Sequence, residues 1–418
     1  MLQENQTNWA GNLVYGACNW QMPTTMDELQ TAVSQSHRLR PLGSRHSFNT
    51  IADTPETIVS LVRLNRVLAL DREKETVTVE GGIRYGELGQ YLHSEGLALH
   101  NLASLPHISV VGACATATHG SGDGNGGLAT AVSALQLLTA NGDLLELTRD
   151  DDRFYAAVVG LGALGIITQL TLDVQPTFDV AQVVYLNLPF AQVTAHFDAI
   201  FSAAYSVSLF TDWQNEQFGE VWLKHRLNDA PFAVPNTFFG ATAAPEKVHP
   251  ILGLPTEPCT EQLGISGPWH ERLPHFRMEY TPSAGAELQS EYFVPRHHAP
   301  AALAAIFALQ EKITPHLLIS EIRTIAADDF WLSPCYQQPM VALHFTWQRD
   351  WPAVAQVLPH IEAALAPFNG RPHWGKLFTM PAAQIHPYYP RLGDFQTLRR
   401  QLDPNGKFSN PFLEAVLG

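Results

Sequence analysis

Two spacings of apolar residues organise the chain. A period of two, which sends alternate side chains to opposite faces of a strand, runs through 75–80 (Glu-Thr-Val-Thr-Val-Glu), 166–174 and 180–189. Shorter apolar runs predict strands over 38–42, 57–62, 68–70, 131–139, 144–147, 206–211, 221–225, 287–294, 317–324 and 340–347. Helical spacing covers 26–35, behind a Thr cap and two acids, and 85–95, where Gly96 stops it. It recurs over 153–159, 190–203, 300–313 and 351–365, and a closing helical region spans 389–402. Asn141-Gly142 between apolar runs signals a hairpin. The Pro-rich stretch 228–262 reads as a long loop region. Beyond Pro176 the composition shifts toward aromatics, which sets a domain boundary there. Strands followed by helices in the second half predict an antiparallel sheet backed by helices, and hence an α+β fold.

Composition narrows the class. A chain of 418 residues is long for one core, so two domains are expected. With 45% hydrophobic and 16% charged residues it is globular. A formal net charge of −15 repels phosphate backbones and counts against nucleic acid as a partner. Cys18, Cys114, Cys259 and Cys335 are scattered, so neither a zinc knuckle nor a disulfide framework is signalled. The N-terminus is polar, and no apolar run approaches the roughly 18 residues of a membrane span. A soluble, cytoplasmic monomer without a membrane partner or a metal is the expectation.

Three stretches carry candidate chemistry. Arg40-Pro-Leu-Gly-Ser-Arg-His-Ser-Phe-Asn49 leaves a strand as a loop. Gly43 permits close backbone approach, Ser44 and Ser47 add hydroxyls, and successive N–H groups can form an anion site beside Arg45. Read alone, it is equally a polar turn with a solvated His46. The stretch 101–130 is crowded with Gly, Ala, Ser and Thr, which suits a backbone pressed against a flat ligand or another backbone. Its Ser-Val-Val-Gly-Ala-Cys-Ala segment is too apolar for a solvated loop. The glycines fit neither the dinucleotide fingerprint nor the P-loop. Third, polar residues stand two apart on three strands: Glu321 with Arg323, His344 with Thr346, and Gln289 with Glu291. Their apolar neighbours make these strands central. A charged face there is costly unless it lines a site or its charges pair. Lys376 adds a cation nearby in sequence.

Taken together, the loop 41–48, Ser-Leu-Pro-His-Ile-Ser109, Thr-His-Gly-Ser-Gly122 and Gly-Ala-Leu-Gly165 resemble the vanillyl-alcohol-oxidase-type flavoproteins. Within that family the chain is similar to the alditol oxidases over nearly its whole length. The resemblance implies FAD between two α+β subdomains in 1–176, a substrate domain in 177–370, and a tail, 371–418, that returns to the FAD domain. It implies a covalent bond from His46 to the flavin 8α-methyl. It further implies FAD contacts from Pro41, Leu42, Gly43, Ser44, Arg45, Ser47, Ser104, Ser109, Gly112, Ala113, Cys114, Ala115, His119, Gly165, Ile166 and His373. One departure is Arg45, where the family usually has a second Gly. A residue at φ > 0 there costs roughly 1 kcal/mol; alternatively, Arg45 pairs with the pyrophosphate.

Glu-Ile-Arg-Thr324, His-Phe-Thr-Trp347 and His-Trp-Gly-Lys376 match the polyol site of the alditol oxidases intact. That match implies that Glu321, Arg323, Thr346 and Lys376 hold the polyol, with Ser104 beside the flavin ring and Gln289 and His344 in the same pocket. The expected reaction is oxidation of a terminal alditol hydroxyl (xylitol, sorbitol) to the aldose, with O2 reduced to hydrogen peroxide. Arg323 and Lys376 would stabilise the developing alkoxide, and Glu321 or His344 would take the proton or orient the hydroxyl. A sugar-lactone oxidase or dehydrogenase of the same superfamily and a non-catalytic flavin or carbohydrate binder are the rival readings.

Overall fold

The computed structural model describes residues 6–227, 234–280 and 286–418, so the start of the N-terminus and the first six residues of the loop region 228–262 lie outside the described residues. Among the described residues, no helix is long and apolar enough to cross a membrane.

The alternating runs of the first half close into a five-stranded antiparallel sheet. Its order is Val67–Asp71, Thr76–Glu80, Ile166–Asp173, Val132–Leu138, Leu144–Thr148. Register aligns Val79, Leu170 and Leu135 in one row, and Val77, Leu172 and Val132 in the next. These side chains are buried with Leu88 and Leu92 of Tyr85–Ser94 and Phe154 of Asp152–Val158. Asn19–Gln21, Thr57–Ser60 and Leu39–Leu42 form a separate sheet of parallel pairs. A parallel connection needs a crossover, and the helix Met26–Gln35 supplies it. Thr25 caps that helix by accepting from the Glu28 N–H, and Leu29, Ala32 and Val33 pack beneath with Leu39 and Val59.

Beyond Pro176 the strands build one ten-stranded sheet whose pairs are all antiparallel. Its centre runs Ser206–Thr211, Leu317–Ile325, Met340–Gln348, Glu287–Pro295. Period two divides the two faces. Leu288, Tyr292, Ile322, Leu343, Phe345 and Trp347 belong to the apolar core. Phe190–Phe201, Ala299–Phe307 and Trp351–Leu365 back this face; Tyr292, for example, donates to Glu362 Oε1 at 2.9 Å. The predicted helix-backed antiparallel sheet and α+β class are therefore observed. Gln289, Glu291, Glu321, Arg323, His344 and Thr346 stand on the opposite face and are buried as well.

Two expectations need correction. The helix expected over 300–313 is two, Ala299–Phe307 and Gln310–Ile313, because the chain turns at Ala308 and Leu309. The loop region 228–262 contains a tight hairpin, Thr237–Phe238 with Ala241–Ala243. Its turn residues, Phe239 and Gly240, both have positive φ (47° and 89°), the geometry of a two-residue hairpin without the usual Asn-Gly. A last helix, Pro411–Leu417, is capped by Asn410. The tail reaches back to the first sheets: Leu39 N–H donates to Lys407 O, and Asn410 Nδ2 donates to the carbonyls of Thr50, Ile51 and Asp53.

Candidate active site

One cavity lies between the loops of the first half and the polar face of the large sheet. On the loop side, Ser44 and Ser109 bind each other reciprocally: Ser109 N–H donates to Ser44 Oγ at 2.9 Å, and Ser44 N–H to Ser109 Oγ at 3.3 Å. A Cβ on Gly112 would meet Ser109 Oγ at 2.6 Å, so the cradle needs a glycine there. Arg45 adopts φ 64°, the left-handed position that the missing glycine would occupy without strain. Its guanidinium reaches the Thr7 carbonyl at 3.4 Å, and its own carbonyl accepts from Trp9 N–H. His46 stacks on Trp9, ring centroids 5.5 Å apart. Both its ring nitrogens are buried and, among the described residues, make no hydrogen bond of good geometry. Burial, with His107 nearby, pushes its pKa down to about 3, so the ring is neutral. Orphaned imidazole nitrogens beside a backbone cradle fit a large cofactor bound against this wall.

On the sheet side, register assembles cross-strand rows. Phe210, Glu321, His344 and Glu291 align in one, and Ile319, Thr346 and Gln289 in another. Glu291 is the hub. Its Oε1 lies 2.7 Å from Arg323 Nη2 and 3.2 Å from His119 Nε2, and its Oε2 lies 3.5 Å from His344 Nδ1. Burial alone would raise the Glu291 carboxyl, but Arg323, His119 and His344 hold it well below the usual carboxylate range. Glu321 behaves likewise: burial opposes ionisation, while Arg323 and His275 pull the carboxyl well down. Burial lowers the His344 pKa, and its Nε2 lies 3.2 Å from Thr346 Oγ1. Lys376 Nζ donates to Gln289 Oε1 and sits 4.9 Å from the centre of the Phe48 ring. Burial pushes its pKa down to about 8, with Glu291 pulling the other way.

The residues singled out in the sequence converge on this cavity. All seven residues 41–47 line it, with Ser104, Ser109, Gly112, Ala113, Ala115, His119, Gly165, Ile166 and His373; so do Gln289, Glu321, Arg323, His344, Thr346 and Lys376. Cys114 is the exception. It lies on the far side of the short helix Val110–Ala115, one turn from Val110, with Sγ buried 3.6 Å from Tyr85 OH. Its thiol is pushed up to about 12 by burial. Glu321 and Arg323 are only 5% and 7% exposed, so they line the site rather than the surface. Glu291 and His275 are among the cavity residues that were not singled out as site residues. Glu291 was visible only as the strand partner of Gln289, because its hub position depends on cross-strand register. His275 sits in an irregular Leu-Pro-His-Phe segment that carries no periodicity at all.

Known proteins share this fold. Cholesterol oxidase from B. sterolicum superposes with a TM-score of 0.78 at 15% identity, covering 99% of this chain and 96% of that one. A xylooligosaccharide oxidase from Myceliophthora thermophila does so with a TM-score of 0.73 at 15% identity over 99% and 96%. At such identities the likeness shows the fold, that of the vanillyl-alcohol-oxidase-type flavoproteins. A family model for the FAD binding domain matches residues 21–148, and one for D-arabinono-1,4-lactone oxidase matches residues 286–416. The protein is thus an FAD-dependent oxidase acting on CH–OH. Within that class the chain belongs to the alditol oxidase family: it is 49% identical to the alditol oxidase of a Streptomyces species over 98% of both chains. The L-gulonolactone oxidase of Bos taurus is 29% identical over 98% of this chain and 97% of its own.

Proposed function

We propose that this protein oxidises the terminal hydroxyl of an alditol, with xylitol and sorbitol as candidate substrates, to the aldose, and that the electrons reduce O2 to hydrogen peroxide. The observation that carries this reading is the buried sheet face, on which acceptors and donors alternate within one cavity beside the FAD cradle. A neutral polyol offers only hydroxyls. A site that pairs them with fixed partners strongly rejects analogues lacking them. Glu321 accepts, Arg323 and Lys376 donate, and Ser104 and Thr346 do both. Gln289, bonded to Lys376, sets the direction of that ammonium.

FAD, held by the cradle of residues 43–47 and 109–112, would supply the redox chemistry: acceptance of a hydride from the carbinol carbon and transfer of two electrons to O2. The residues manage the proton. Arg323 and Lys376 stabilise charge that develops on the hydroxyl oxygen. His344 enters neutral and takes the hydroxyl proton, and Glu291, 3.5 Å from its Nδ1, stabilises the imidazolium that forms. Glu321 stays a carboxylate and orients the polyol. The buried ring nitrogens of His46, which make no hydrogen bond of good geometry among the described residues, support a covalent link to the flavin. The carbonyl contacts of Asn410 support a tail whose end belongs with the FAD unit of 1–176, whereas its first residues, Arg371–Pro372, pair with Tyr292 and Phe293 of the large sheet.

The test is anaerobic flavin bleaching and aerobic peroxide release with xylitol, sorbitol, L-gulono-1,4-lactone and L-galactono-1,4-lactone. Bleaching by alditols with stoichiometric peroxide is expected. Bleaching by the lactones alone would transfer the protein to the lactone oxidases, and bleaching by none would remove catalysis. Acid precipitation reports the flavin link: the yellow colour is expected to stay in the pellet and to move to the supernatant in His46→Ala.

A further inference from the structure

Behind Glu321 the structure places a second set of buried polar groups that the reaction described above does not use. Lys224 is 1% and His275 5% exposed. Lys224, on the strand Gln217–Arg226, donates from Nζ to the Leu273 carbonyl, to the Pro274 carbonyl at 3.1 Å and toward His275 Nδ1 at 3.1 Å. His275 Nε2 lies 2.8 Å from Glu321 Oε1. The imidazole is wedged edge-on between Trp222 and Phe210, with ring centroids 5.0 and 5.6 Å away. The backbone of the same segment holds the opposite wall of the cavity: His275 N–H donates to Ser104 O at 3.0 Å, and Phe276 N–H to the same oxygen at 3.2 Å.

Burial pushes the Lys224 pKa down to about 7, with Glu321 pulling the other way, and while the amine is protonated, below that pH, counting protons fixes the direction of this chain of bonds. An ammonium has three N–H bonds and no lone pair. Two point at carbonyls, which can only accept, and the third points at His275 Nδ1. That nitrogen therefore accepts, and Nε2 carries the hydrogen. The Nε2–H then donates to Glu321, whose Oε1 is an acceptor there. Glu321 cannot pass a proton to His275, because Nε2 is already occupied. Besides Lys224, the charged and titratable groups facing His275 and Glu321 include Arg323, with Nε 3.6 Å from Glu321 Oε1, and the more distant His344 and Lys376.

We propose that Lys224 and His275 are positioning residues: Lys224 locks His275 in its Nε2–H tautomer, and His275 fixes Glu321 by its side chain and Ser104 by its backbone, so that both polyol-facing groups keep one geometry. The pair sets which hydroxyl pattern is accepted and does not carry the hydroxyl proton. This rests on the alditol reading above.

The test compares holoenzyme variants that separate the two imidazole nitrogens. In His275→Gln the amide N–H extends to the position of Nε2–H, whereas in His275→Asn it stops near Nδ1. Flavin content from the visible spectrum, KM for xylitol and the anaerobic reduction rate are measured for both, with His275→Leu and Lys224→Met alongside. His275→Gln is expected within about threefold of the wild type. His275→Asn, His275→Leu and Lys224→Met are expected to raise KM or slow reduction by about tenfold to 100-fold at unchanged flavin content, the penalty of a misplaced contact. Their acidic pH limb, which reports His344, is expected to stay where the wild type has it. The proposal is overturned if Gln and Asn behave alike, if Lys224→Met matches the wild type, or if the acidic limb moves, which would make His275 part of the proton path. A wild-type enzyme that no alditol bleaches would instead overturn the functional reading and leave this comparison to be made with whichever substrate does bleach it.

Discussion

Lys376 shows how much one partly buried cation can decide. Its ammonium is pushed down to about 8 by burial and held by Gln289. If it stabilises the developing alkoxide, Lys376→Met removes a charge that matters most in the transition state, and the flavin reduction rate is expected to fall by roughly 100-fold or more. Flavin content is expected to stay unchanged, since among the described residues the Lys376 ammonium bonds Gln289 on the sheet side of the cavity rather than the cradle loop 43–47. The pH profile gives the sign. The charged form persists below about pH 8, so wild-type kcat/KM falls as pH rises through that value, and the variant lacks this step. On the acid side, His344 has its pKa lowered, so its neutral form survives below the ordinary 6.5 and activity is lost only at lower pH; His344→Asn is expected to abolish that limb. At this scale the sequence showed residue types and their spacing in two strands, and that was enough to single out Glu321, Arg323, His344 and Thr346. It also raised the question of Arg45, which the observed φ of 64° answers in terms of backbone. His275 could not be read, since nothing in Leu-Pro-His-Phe tells which strand the ring will face.

The strand is the scale at which these residues become a site. Period two put Gln289 and Glu291 on one face, but only register sets Glu291 opposite His344 and within 2.7 Å of Arg323. A buried carboxylate with three cationic or imidazole neighbours is stable only as a set, because removing one member leaves uncompensated buried charge. Glu291→Gln keeps the shape and removes the charge. It is expected to cost about 3 kcal/mol of stability near neutral pH, seen as a lower thermal midpoint, together with loss of substrate-dependent bleaching. Glu291 and Glu321 both have folded pKa values below the ordinary 4.5. Such groups contribute stability above the unfolded value and lose it as pH falls through the folded one. The wild-type thermal midpoint should therefore drop as pH falls below about 4.5, and Glu291→Gln should flatten that slope. An equally steep slope in the variant would exclude Glu291 as a source of the acid sensitivity.

At the scale of the whole molecule, the question is why a cavity walled by two halves keeps its shape. The tail supplies one answer. Asn410 Nδ2 bonds three carbonyls, of Thr50, Ile51 and Asp53, just past the cradle loop. Next to it, the buried Arg40 guanidinium links the Phe408 carbonyl to those of Leu161 and Gly162, whose loop lines the cavity. The return of the tail was implied by family likeness, not by any pattern in 389–418, because hydrogen bonds from one side chain to distant carbonyls leave no period to read. Asn410→Ala strands the Ile51 and Asp53 carbonyls, at about 1 kcal/mol or more each, and removes the cap of Pro411–Leu417, at about 1 kcal/mol more, while the Thr50 carbonyl keeps the Asp53 N–H. A total loss on the order of 3 kcal/mol is expected, seen as a lower unfolding temperature. Flavin fluorescence, quenched in the folded cavity, and tryptophan fluorescence are expected to change together at that lower temperature, since the tail, Arg40 and the cavity loop form one connected unit. If the tryptophan signal shifts while the flavin signal keeps the wild-type midpoint, the tail stabilises the chain elsewhere and the cradle stands without it.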